Sequence, residues 1–142
     1  MNSPFNLLQE IYRSDPWKIM VCCMFLNQTN RKQVDGIRDE FFLKYPDATH
    51  LSNAIESELV EILRPLGFYN KRAKSLIRFS REWLGEWEDP IELHGIGQYA
   101  RDSWTLFVEN KMVDDPSDHV LKDYVKWRKG EVSTISPKNF LK

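Results

Sequence analysis

Leu93-His94-Gly95-Ile96-Gly97-Gln98-Tyr99-Ala100 is the stretch that decides the fold: a short turn of helix, glycines on both sides of an isoleucine, then the start of a longer helix. Glycines there let two helices meet in a tight hairpin, and bare backbone lets amides approach an anion at the positive end of the second helix. Taken alone, the tripeptide reads as a plain helix connector. Upstream, Leu63-Arg64-Pro65-Leu66-Gly67-Phe68-Tyr69-Asn70-Lys71-Arg72-Ala73-Lys74 repeats the scheme of helix, glycine turn and basic helix. Two such hairpins in one chain favour a paired device over two accidental connectors.

Outward from the hairpins the apolar spacing is helical. Leu7, Leu8, Ile11 and Tyr12 make one stripe, and Val34, Ile37, Phe41 and Phe42 make another. Asp15-Pro16, Asp47 and Asp89-Pro90 mark helix starts, since aspartate caps the first amides and proline suits the first turn. The pattern predicts helices over about 5–13, 16–28, 31–45, 47–54, 56–63, 70–85, 97–109 and 118–129, with a short turn at 90–93. No alternating strand pattern of useful length occurs, so the expected class is all-α. The 16–28 helix is apolar around most of its circumference and should run through the core, with Cys22 and Cys23 as packing residues.

The 142 residues suit one domain, expected over 1–130 and followed by a polar tail at 131–142. An apolar share of 42% with 13% aromatics excludes whole-chain disorder. The longest uncharged apolar stretch, Ile19 to Leu26, is too short to span a membrane, and no secretion leader is legible, so a soluble protein is expected. Two adjacent cysteines supply neither a disulfide framework nor the four thiolates of a metal cluster, so no metal or cofactor is expected. A net charge of −1 argues against a generic polyanion binder. Distribution matters more: Arg64, Lys71, Arg72, Lys74, Arg78 and Arg81 follow one another with no acid between them, which predicts one basic face.

The two hairpins, with Asp118-His119 about twenty residues beyond the second, resemble in order and spacing the helix-hairpin-helix (HhH-GPD) DNA glycosylases. That is the superfamily of endonuclease III and of the adenine glycosylase acting on G·A mismatches. Within it the chain looks closest to the glycosylase domain of methyl-CpG-binding domain protein four. Ser3-Pro4-Phe5-Asn6-Leu7-Leu8-Gln9-Glu10, Asp15-Pro16-Trp17, Phe25-Leu26-Asn27, Pro65-Leu66-Gly67 and Pro90-Ile91-Glu92-Leu93-His94-Gly95-Ile96-Gly97 carry that likeness. It implies a two-lobed helical fold with its pocket between the lobes. It also implies a nuclear, monomeric base-excision enzyme that removes thymine or uracil opposite guanine in duplex DNA. A target atom inside the stack must be extruded, and a mispaired base is the easiest to extrude.

The resemblance also implies roles. Asp118 matches the catalytic aspartate, which would stabilise positive charge on the sugar and orient water. Tyr99 stands where bifunctional members carry a Schiff-base lysine, so a monofunctional enzyme is expected, with Tyr99 lining the base pocket. Gln9 matches a pocket glutamine offering donor and acceptor to a pyrimidine edge. Gln28 falls at the residue that fills the hole of the flipped nucleotide, where close relatives tend to carry arginine. Phe68 would wedge beside the widowed guanine. Gly95, Gly97 and Gln98, with Lys71 and Arg72 from the basic stretch, are the expected phosphate grip. Val120 departs from the lysine that often follows the Asp-His pair, a contact that Lys122 would replace. A noncatalytic DNA-structure-binding module is the alternative, and Asp118 separates the two readings because a pure binder does not need it.

Overall fold

A computed structural model describes residues 2–130, and among them every regular element is helical. The elements are α1 (Leu8–Ile11), α2 (Pro16–Phe25), α3 (Arg31–Asp35), α4 (Arg38–Lys44), α5 (Ala48–Ser52), α6 (Glu56–Leu63), α7 (Tyr69–Trp83), α8 (Gln98–Ser103) and α9 (His119–Arg128). Short 3₁₀ turns at Arg64–Leu66 and Pro90–Glu92 precede the two glycine hairpins, and α8 runs on into a π-helical turn, Trp104–Val108. The expected tail at 131–142 lies outside the described residues.

The three aspartates read as helix starts are caps. Asp15 accepts the Lys18 N–H at 3.1 Å, Asp47 the His50 N–H at 2.9 Å, and Asp89 the Ile91 N–H at 2.9 Å. Each such cap stabilises by about 1 kcal/mol. As its composition requires, α2 buries Trp17, Ile19, Met20, Val21, Cys22, Cys23 and Phe25. It packs against α1, α7, α8 and the π turn, while α7 packs on α5 and α6. The Trp17 indole N–H donates to Ser80 Oγ at 3.1 Å, so the buried joint between α2 and α7 carries a satisfied polar pair.

Several expected helices are shorter than their sequence pattern, two of them for a visible reason. The 31–45 stretch is two helices, broken at Gly36-Ile37. Glycine weakens a helix interior, and Asp35 draws Arg31 (2.8 Å) and Arg38 (2.9 Å) together from the two sides of the break. The first helix begins at Leu8 rather than at residue 5. The buried Glu10 carboxylate accepts the Ser3 N–H (2.5 Å), the Ser3 hydroxyl (2.6 Å) and the Leu7 N–H (3.2 Å), which folds the arm back across the helix start. Asn6, at φ +52°, makes the reversal.

Candidate active site

A cleft of about 870 Å³ is bordered by three chain segments. The C-terminal end of α2 and the turn after it supply Cys23 through Gln28, the first hairpin supplies Phe68, Lys71, Arg72, Ser75 and Leu76, and the second supplies Gly95 and Gly97 through Ala100. Tyr99, Gln28, Phe68, Gly95, Gly97, Gln98, Lys71 and Arg72, named from sequence, therefore share one concavity although Gln28 and Tyr99, the ends of the set, lie 71 positions apart.

Packing explains how the hairpins are set. Gly95 sits at φ +84°, and a Cβ there would meet the Met24 methyl at 2.6 Å, so the second hairpin rests directly on α2. Nothing lies within 4 Å of a Cβ built on Gly97, which stands at the cap position of α8 without a side chain. First-turn amides of a helix lack intrahelical partners, so this turn is open to an anion. The hairpin is also tied to α7. The His94 N–H donates to Glu82 at 2.8 Å, and His94 Nε2 meets Ser75 Oγ at 3.1 Å. The donated His94 N–H, with Arg78 beside it, holds the Glu82 carboxyl below its ordinary pKa.

Two non-glycine residues on the rim have left-handed backbones, Gln28 at φ +61° and Phe68 at φ +46°. Both side chains are exposed, Phe68 to 64%. Phe68 is therefore not buried between the helices. Strained backbone of this kind persists only where surrounding structure imposes it, and it clusters at functional sites.

At the cleft's inner side, Tyr99 is partly buried against the core. The Gln9 amide donates to the Tyr99 hydroxyl at 2.8 Å and to Ser103 Oγ at 3.1 Å. Burial, reinforced by the Cys23 thiol, raises the Tyr99 pKa well above its ordinary value, so the phenol stays protonated at neutral pH. Gln9 is itself buried, and both of its amide hydrogens are engaged. Through those two donations it holds Tyr99 and Ser103. Ser103, one helical turn beyond Tyr99, went unnoticed in the sequence; its spacing of four residues was the available signal. Cys23 was read as packing alone, and it is buried, but it also borders the cleft.

Asp118 lies on a further segment and is not among the residues that border the cleft. It caps α9, its Oδ2 accepting the Leu121 N–H at 3.0 Å, and it is partly buried. Val120 is buried, and Lys122 pairs with the exposed Asp115 at 3.5 Å.

The basic face is mostly engaged. Arg64 pairs with Glu61 (3.0 Å), Lys74 with Glu56 (2.8 Å) and Arg78 with Glu82 (2.8 Å), while Arg81 donates to the Ser52 carbonyl. Arg72, which borders the cleft, donates to three backbone carbonyls. Lys71 is exposed on the cleft and makes no ion pair among the described residues. Lys71→Gln should weaken binding of matched and mismatched duplex alike by a few-fold and shallow the log–log salt dependence by about 0.9. Fluorescence anisotropy across a salt series measures this, and an unchanged slope would place the phosphate contact elsewhere.

No group of three His, Cys, Asp or Glu among the described residues is arranged to hold a metal, and no described helix is long and apolar enough to cross a membrane.

Residues 21–135 match the HhH-GPD superfamily base excision DNA repair protein family. The chain is 39% identical over 124 residues to the methyl-CpG-binding domain protein 4-like protein of Arabidopsis thaliana, covering 86% of this chain and 28% of that protein. It is 35% identical over 94 residues to the thymine-DNA glycosylase of Aeropyrum pernix, covering 61% of this chain and 42% of that one. For the thymine/uracil-DNA glycosylase of Pyrobaculum aerophilum the figures are 34% over 94 residues, 61% and 41%. The chain thus spans well under half the length of these relatives. A solved structure of a thermostable thymine-DNA glycosylase superposes with a TM-score of 0.66 at 18% identity, over 99% of this chain and 74% of that one, which establishes the shared fold. With the family matched from within α2 to beyond α9, the chain belongs to the HhH-GPD superfamily of base excision DNA repair proteins.

Proposed function

We propose that the chain is a monofunctional DNA glycosylase that hydrolyses the N-glycosidic bond of thymine or uracil opposite guanine, acting as a monomer on duplex DNA. The observation that carries this reading is the cleft itself. Two exposed side chains on left-handed backbone, Gln28 and Phe68, stand at its rim, and a neutral tyrosine stands inside it. A protein that only gripped phosphates would need the hairpins but not protruding groups beside a concavity able to take a base.

The chemistry asked of these residues is modest. Cleaving the bond builds positive charge on the sugar, and a carboxylate held in place stabilises that charge without reorganising. Asp118 suits the role because its cap bond to Leu121 fixes one carboxylate oxygen. Tyr99, anchored by Gln9, presents a ring against which a pyrimidine can pack.

No amine stands at position 99, so an imine with the opened sugar is not expected there. End-labelled G·T and G·U duplexes should remain intact after incubation until alkali cleaves the abasic product, while A·G duplex stays uncut. Borohydride should trap no protein–DNA adduct. Lys71 is the one lysine bordering the cleft among the described residues. An adduct that disappears in Lys71→Gln would replace the monofunctional assignment with a lyase using that amine, and no excision from any mismatch would leave a DNA-binding module.

A further inference from the structure

The guanidinium of Arg72 joins the two protruding segments. Its Nε–H donates to the Gly67 carbonyl at 2.8 Å, one Nη to the Asn27 carbonyl at 2.8 Å, and the other Nη to the Met24 carbonyl at 3.3 Å. Gly67 immediately precedes Phe68 and Asn27 immediately precedes Gln28, and both following residues have positive φ. Each strained residue thus has the carbonyl on its N-terminal side held by the same planar group. Burial lowers the pKa of this arginine, and no carboxylate among the described residues offsets the effect. A cation that spends three of its donors on backbone carbonyls is poorly explained as a plain surface charge.

We propose that Arg72 is a positioning residue that locks the Asn27-Gln28 and Gly67-Phe68 peptides into one rigid unit, so that both side chains enter the duplex together. The inference rests on the glycosylase reading above. Arginine is required because its fork reaches separate carbonyls at fixed angles, whereas a lysine ammonium is a point charge on a flexible stem. Gln33 supports the same loop independently, donating to the Pro65 carbonyl at 3.2 Å, so the first hairpin does not depend on Arg72 alone for its place.

The test compares Arg72→Lys and Arg72→Met with the wild-type chain in single-turnover excision, beside thermal melts. Thymine is placed opposite guanine in duplex, opposite an abasic site, or in single-stranded DNA. Excision from the G·T duplex should fall about ten- to a hundredfold in both variants, since small misplacement of a positioned group has effects of that order. Excision from the other two substrates should fall less than about threefold, because little unstacking is needed there. In a Gln28→Ala/Phe68→Ala background, Arg72→Lys should cause no further loss, the signature of residues acting as one unit.

Wild-type rates in Arg72→Lys would overturn the proposal, as would equal slowing on all three substrates or fully additive losses. Failure of both variants to fold would assign Arg72 a purely structural role. A wild-type chain that excises from no substrate removes the glycosylase reading and this inference with it. An active wild type with uniformly slowed variants removes the inference alone.

Discussion

Asp118→Asn should lower single-turnover excision of thymine from a G·T duplex by about a thousandfold, equivalent to about 4 kcal/mol of lost transition-state stabilisation, and leave duplex binding nearly unchanged. The substitution is chosen for what it retains. Asparagine caps a helix about as well as aspartate, so the bond to the Leu121 N–H and the start of α9 survive. What disappears is the negative charge, which interacts far more strongly with a cationic sugar than with the neutral ground state. Melting temperature and Kd for mismatched duplex should therefore match wild type while the rate collapses. Asp118→Ala loses the cap as well and should melt earlier, by the equivalent of about 1 kcal/mol. Turnover near wild type in Asp118→Asn would exclude this carboxylate as the group that stabilises the sugar.

Helix type and order were legible because the signals were local. Asp15, Asp47 and Asp89 cap within two or three residues of themselves, and the apolar face of α2 needs only its own composition to be recognised as core. The misread boundaries had distant or reciprocal causes. Helix α1 is short because Glu10 turns back to Ser3, and the 31–45 stretch divides where Asp35 bonds arginines on both sides of Gly36. The helical periodicity of Val34, Ile37, Phe41 and Phe42 survives the break, so the stripe gave no warning of it.

The cleft residues were legible by kind and not by partner. A run of six cations without an intervening acid suggested a free basic face, yet Glu61 lies three residues before Arg64 and Glu82 four residues after Arg78, spacings at which helical ion pairs form. Those two pairs were there to be read. Arg72 was not, since its carbonyl partners at Met24 and Asn27 lie more than forty residues away and backbone oxygens leave no trace in residue type. The same holds for Gln9 and Tyr99, 90 residues apart.

Phe68→Ala should slow excision from G·T duplex about ten- to a hundredfold, and Gln28→Ala somewhat less, because the extruded nucleotide leaves a gap that a ring fills better than an amide. Stability separates this from a packing defect. A buried phenylalanine replaced by alanine destabilises by about 3–5 kcal/mol, whereas Phe68 is 64% exposed and should leave the melting temperature almost unmoved. Phe68→Gly sharpens the comparison: at φ +46° glycine relieves strain, so that variant should be at least as stable as Phe68→Ala and no more active. The substrate decides the rest. With the target base opposite an abasic site or in single-stranded DNA, unstacking is cheaper by a few kcal/mol, and both alanine variants should approach wild-type rates. A large fall in melting temperature, or equal losses on paired and unpaired targets, would show that the ring supports the hairpin instead of entering the duplex.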